Sequence, residues 1–124
     1  VKLDWNFYEN KNDLIELSSL KLGGSIVAYN NAHYGDVSAL LSDGRGKTMG
    51  DGWETRRRRK KGFDYVIVKL GRPGKIFNAD IDTTHFSGNQ PTQASLQACY
   101  SKKKLPDKNT KWITILKKKK IKER

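Results

Sequence analysis

The sequence predicts an all-β chain, and three features carry that reading. Short runs rich in Val, Ile and Tyr recur along it, two of them alternate polar with apolar residues, and Gly, Pro and Asn separate them. Five such runs read as strands, which suits a β-sandwich better than any helical architecture. Five is also few for a closed sandwich.

Residues 1–22 are a polar lead-in with a short helix expected over residues 12–20, where Asn12 or Asp13 would cap the start. Gly23-Gly24 breaks the chain, and the β-branched Ser25-Ile26-Val27-Ala28-Tyr29 is the first strand. Turn formers then dominate as far as Gly52, apart from residues 37–41, which fit one helical turn, and residues 51–63 form a charged loop. Residues 64–70, with a Val66-Ile67-Val68 centre, read as a buried strand. Residues 75–83 alternate, with Phe77, Ala79 and Ile81 opposite Asn78, Asp80 and Asp82. Residues 94–100 alternate again, placing Cys99 within a strand. Residues 112–116 form a last apolar run before a lysine tail at 117–124.

The formal net charge of +12 raises the question of a nucleic-acid partner. Residues 102–124 carry 11 Lys and Arg against Asp107 and Glu123, a balance of +9, which leaves +3 for residues 1–101. The excess is therefore expected to belong to a basic tail and to give only non-specific phosphate contact. There is no run of eighteen apolar residues, so a membrane helix is not expected. Val1-Lys2-Leu3-Asp4-Trp5 lacks the layout of a signal peptide, and the single Cys99 precludes an internal disulfide. A cytoplasmic setting is expected. The missing initiator Met suggests a piece of something longer.

Two polar clusters have the residue types that chemistry needs. Asp51-Gly52-Trp53-Glu54-Thr55-Arg56-Arg57-Arg58-Arg59 combines two carboxylates, an aromatic plate and guanidinium groups suited to a small anion. By composition alone the same run reads as a solvated basic loop. Asp80-Ile81-Asp82-Thr83-Thr84-His85-Phe86-Ser87-Gly88-Asn89 sets two carboxylates on one strand face with a histidine just past the strand's end, an arrangement for proton transfer or simply a polar strand edge. His33, in Asn30-Asn31-Ala32-His33-Tyr34-Gly35, is a third candidate. Gly46-Lys47-Thr48 ends like a phosphate-binding loop, but Leu41 stands where the earlier glycine is required. One cysteine and two distant histidines make no zinc site of usual spacing.

The run Asp51 to Arg59 resembles the hallmark of the allantoicase family. The likeness extends through Gly62-Phe63-Asp64-Tyr65-Val66-Ile67-Val68-Lys69-Leu70-Gly71, through Asp82 to Asn89, and upstream to Leu22-Gly23-Gly24 and Asn30 to Gly35. Residues 22–116 are similar in register to the second of that family's two tandem repeats, with Phe63 where the family commonly has His. The resemblance implies a galactose-binding-domain-like jelly roll, here incomplete because family repeats continue past the position of Arg124 into further strands. It implies a lead-in over residues 1–21 and a partial repeat over residues 22–124. The activity implied is hydrolysis of allantoate to ureidoglycolate and urea in purine breakdown. Asp51, Glu54, Asp82 and His85 are the acids and bases available, and Trp53, Arg56, Arg57, Asn89 and His33 are expected to bind substrate. No cofactor is implied, and whether a divalent metal assists stays open. A companion allantoicase repeat, and beyond it a homo-oligomer, are the partners expected. The competing reading is a non-catalytic binding or structural module derived from such a repeat.

Overall fold

The computed structural model describes residues 2–6, 14–33, 35–42, 44, 46–83, 85–86 and 90–121. Seven strands lie among them: β1 Lys2–Asn6, β2 Leu14–Glu16, β3 Ser25–Tyr29, β4 Val66–Lys69, β5 Asn78–Asp80, β6 Gln93–Ala98 and β7 Ile113–Lys120. Three short 3-10 helices complete the set, at Leu20–Leu22, Val37–Leu41 and Met49–Asp51, with no α-helix among the described residues. The chain is all-β. Its packing divides it into two units, Val1–His85 and Phe86–Arg124.

In the first unit β1 is the centre of a three-stranded antiparallel sheet, between β2 and β5. The helix expected over residues 12–20 is not formed where the chain is described. Asn12 and Asp13 lie outside the described residues, while Leu14, Ile15 and Glu16 pair with Asn6, Trp5 and Asp4. A nine-residue helix is marginal by itself, and a neighbouring strand offers partners to the backbone groups that face it. The lead-in thus contributes two strands that its composition did not reveal. Residues 75–83 shrink to Asn78–Asp80 because only these face β1, opposite Asp4, Leu3 and Lys2. Phe77, just before β5, is half exposed.

β3 and β4 form a second antiparallel pair with an irregular register: Ile26 faces Val68, Ala28 faces Ile67, and Val27 is the extra residue of a bulge. Pairing continues past the strand ends, where Asn30 N donates to Tyr65 O (3.2 Å) and Tyr65 N donates to Asn30 Oδ1 (2.9 Å). The bulge and this side-chain extension carry Asn30 and Asn31 towards the charged loop. The expected helical turn at Val37–Leu41 is a 3-10 helix whose N-terminus is capped by Asp36 Oδ1, which accepts from Ser38 N (2.9 Å). Its Val37 and Leu41, with Leu17, are the buried apolar residues among those described. Gly71 lies against this core, its N–H donating to Leu17 O (3.0 Å).

The second unit is a hairpin of β6 and β7. β6 follows the predicted alternation, with Ala94, Leu96 and Ala98 half-buried and Gln93, Ser95 and Gln97 exposed. Cys99 lies one residue past the strand, half-buried, not within it. The larger correction concerns the lysines. Lys117–Lys120 are not a tail outside the fold but the second half of β7, with Lys119 opposite Ala94 and Lys120 opposite Gln93. Successive side chains leave a strand on opposite faces, so four ammonium groups remain in water while their backbone completes the ladder.

Candidate functional site

The first unit brings one arm of residues, 31–33, beside another, 53–56. His33 N donates to Glu54 O (2.7 Å), Trp53 Nε1 donates to Asn31 O (2.8 Å), and Arg56 N donates to Asn31 Oδ1 (2.8 Å). Trp53 and Glu54 are half-buried, whereas Arg56 to Lys60 are exposed. Asn31, the four arginines 56–59 and Lys60 line an open cleft of about 350 Å³.

The arginines differ in what they have to do. Arg58 Nη2 donates to Asp64 Oδ1 (2.8 Å) and to Phe63 O (2.9 Å), so its charge is already answered. The guanidiniums of Arg56, Arg57 and Arg59 make no hydrogen bond or ion pair among the described residues. They are the groups left to meet an anion, and three planar forks on one cleft favour a carboxylate or another oxyanion.

Asp64 is the hub of this arrangement. Its Oδ1 also accepts from Asn30 Nδ2 (2.8 Å) and Asn31 Nδ2 (2.7 Å). Burial, the largest single influence, pushes this carboxyl upward, but donation from Arg58, Asn30 and Asn31 together with the Arg58 charge outweighs it and holds the group below its ordinary value. Sequence reasoning passed over Asn31, Arg58 and Asp64 as participants. They stand in the quoted motifs, with Arg58 only six positions before Asp64, yet nothing local indicates that Asn31 meets a carboxylate 33 positions away.

Asp51 is committed to its own turn. Its carboxylate accepts from Lys47 N (2.8 Å) and Thr48 N (3.0 Å), while its N–H donates to Thr48 O (3.1 Å). The Lys47 and Thr48 backbone donors, in that order, hold this exposed carboxyl below its usual range. The same turn receives the second cluster: a ring nitrogen of His85, Nε2, lies 2.8 Å from Gly46 O. Because a carbonyl only accepts, Nε2 carries the proton of that bond and Nδ1 is the nitrogen left for other work. His85 has φ 73°, the left-handed region, which costs a residue with a Cβ about 1–2 kcal/mol. Asp82 is half-buried, beyond the end of β5, and Thr83 beside it is buried. Asp80, the last residue of β5, is half-buried too. Asn89 lies outside the described residues. No cluster of three or more His, Cys, Asp or Glu suited to a metal occurs among the described residues.

Comparison with known proteins places this arrangement in context. A family model described as "Allantoicase repeat" matches residues 15–124. The chain is 51% identical over 86 residues to a "Probable allantoicase" of Acinetobacter baylyi, a match covering 69% of this chain and 26% of that protein. It is 50% identical over 99 residues to "Probable allantoicase 1" of Burkholderia mallei, covering 80% of this chain and 29% of the relative. The crystal structure of an allantoicase from Saccharomyces cerevisiae superposes with a TM-score of 0.68 at 32% identity, over 86% of this chain and 31% of that one. The chain therefore spans under a third of the length of these relatives.

Proposed function

We propose, from the premise that this chain belongs to the allantoicase family, that its arginine-lined cleft binds allantoate for hydrolysis to ureidoglycolate and urea. The observation that carries the proposal is the division of labour among the arginines. Asp64 occupies Arg58, and the uncommitted Arg56, Arg57 and Arg59 share one cleft beside Trp53.

Allantoate carries one carboxylate and two ureido groups on a single carbon. Arg56 and Arg57 would clamp the carboxylate in paired hydrogen bonds, and Trp53 would pack on a planar ureido group. Water adds a hydroxyl to the central carbon as the carbon–nitrogen bond to one ureido group breaks, and the released nitrogen takes a proton to become urea. One group must therefore remove a proton and another deliver one. Glu54, Asp82 and His85 are the groups for this work, with the assignment among them open. Asp51, its carboxylate engaged by two backbone donors, serves in this reading by holding the turn that meets His85. His33 would contribute a further polar contact to the substrate.

The proposal extends to a companion. Leu20, Leu22, Tyr29 and Phe63 in the first unit, and Tyr100, Leu105, Ile113 and Ile115 in the second, are all more than 40% exposed. A companion allantoicase repeat is proposed to cover such side chains, with activity expected to need it. Among the described residues no helix is long and apolar enough to cross a membrane. A cytoplasmic site of action is part of the proposal.

Urea release from allantoate by the longest natural form of the chain tests the reading. Release that disappears when Arg56 and Arg57 are both replaced by Lys supports it. No release, with allantoate left unbound, rejects it in favour of a binding or structural module.

A further inference from the structure

We infer that Asn31 and Asp64 are the positioning residues of the cleft, together setting the Trp53 ring, the Arg56 backbone and the choice of which arginines face the substrate. The inference rests on the cleft's reading as the allantoate site, and deepens it.

Asn31 is the joint. Its backbone carbonyl accepts the Trp53 indole N–H, its Oδ1 accepts the Arg56 N–H, and its Nδ2 donates to Asp64 Oδ1. An amide side chain is able to turn over and exchange its oxygen for its nitrogen, and only the partners decide between the two orientations. Here the choice is forced from both ends. A carboxylate accepts and never donates, so Asp64 requires the NH2 group, and the backbone N–H of Arg56 requires the oxygen. Turning the amide over would set oxygen against oxygen and N–H against N–H.

Asp64 does a second job through the same atom. By drawing Arg58 to Oδ1 it removes one guanidinium from the run of four, and Arg58 in turn braces the loop through Phe63 O. Asn30 adds a third donor to that oxygen, tying the hub to the end of β3. The β3–β4 pair is thus the element from which the cleft is aimed, and the bulge at Val27 lies just before Asn30 and Asn31. Neither Asn31 nor Asp64 needs to touch the reacting atoms.

A swap of donor and acceptor tests this. Asn31→Asp sets two carboxylates face to face. Asp64→Asn removes the charge that fixes the amide and releases Arg58. The double variant, Asn31→Asp with Asp64→Asn, restores a complementary pair in the opposite sense. In the longest natural form of the chain, each single substitution should raise KM for allantoate on the order of tenfold, with kcat held within about twofold. The double variant should recover the share of the loss that runs through the Asn31–Asp64 pair. A purely structural role would instead lower the active fraction, and with it kcat, and leave KM where it was. Wild-type KM in both single variants, a loss confined to kcat, or no recovery in the double variant would overturn the inference. If the unaltered protein neither binds nor hydrolyses allantoate, the functional reading fails and the network is judged by hydrogen exchange at the Trp53 indole. Protection in the unaltered protein and the double variant, lost in the single ones, supports the positioning network; equal protection in all four overturns it.

Discussion

Gly71→Ala tests how the first unit is held together, because the side chain it adds has nowhere to go. An ideal Cβ at Gly71 would stand 1.9 Å from Leu22 O, 2.9 Å from Leu22 C and 3.3 Å from Gly23 C, all backbone atoms. Reaching even the 3.0 Å limit of real Cβ contacts needs a displacement of about 1.1 Å at the first of these. That movement strains the hydrogen bond from Gly71 N to Leu17 O and disturbs Leu17, which is 1% exposed. Overpacking costs about 1–3 kcal/mol, and a lost backbone hydrogen bond adds about 0.5–1.5 kcal/mol. We therefore expect a destabilisation of roughly 2–4 kcal/mol, a large share of the ~5–15 kcal/mol of a typical domain. Gly44→Ala is the control, since Gly44 has φ 74° but open space around it. Its cost should be limited to about 1–2 kcal/mol of left-handed backbone strain. Urea unfolding followed by fluorescence reads both variants. With slopes of about 1–3 kcal/mol per molar, the Gly71 variant should lose on the order of 1–2 M in midpoint. A Gly71→Ala midpoint equal to that of the unaltered chain, or no lower than that of Gly44→Ala, would refute the packing argument.

Three further expectations follow from the site and the hairpin. Arg57→Lys and Arg56→Lys keep the charge and lose the planar fork, so each should cost about 1.5–3 kcal/mol in kcat/KM for allantoate; unchanged kinetics in both would remove the clamp. Asp64 has a folded-state value below its unfolded one, so its stabilising effect is complete above about pH 4 and is lost as the pH falls through the folded value. Unfolding midpoints measured from neutral pH downward should show that acid-side loss in the unaltered chain and lack its contribution in Asp64→Asn; parallel curves would contradict it. Affinity for a random-sequence oligonucleotide should be weak, blind to sequence and steeply salt-dependent. Replacing Lys117, Lys118, Lys119 and Lys120 with Gln should flatten the slope of log K against log salt by about 3, whereas tight binding that survives both the substitution and high salt would point to a dedicated nucleic-acid site. Point substitution is preferred to truncation because these lysines form half of β7.

The sequence by itself determined the class of the fold, most strand cores and the family. β-branched centres at 25–29 and 66–69 and the alternation at 93–98 are local properties, since side-chain direction repeats every two residues whatever lies alongside. The motif Asp51 to Arg59 was equally legible, because it is contiguous. Tertiary structure decided where a strand's partner is, and so which ambiguous segments are strands at all. Residues 14–16 and 117–120 are strands because β1 and β6 lie beside them, a fact absent from their own composition. Tertiary structure also decided what each charged group is for. Four adjacent arginines are indistinguishable in a sequence, and an electrostatic partner acts through space and not along the chain. Asp64 reaches Asn30 and Asn31 only across the paired β3 and β4, and its contact with Arg58 separates the arginine that braces the loop from those left to bind.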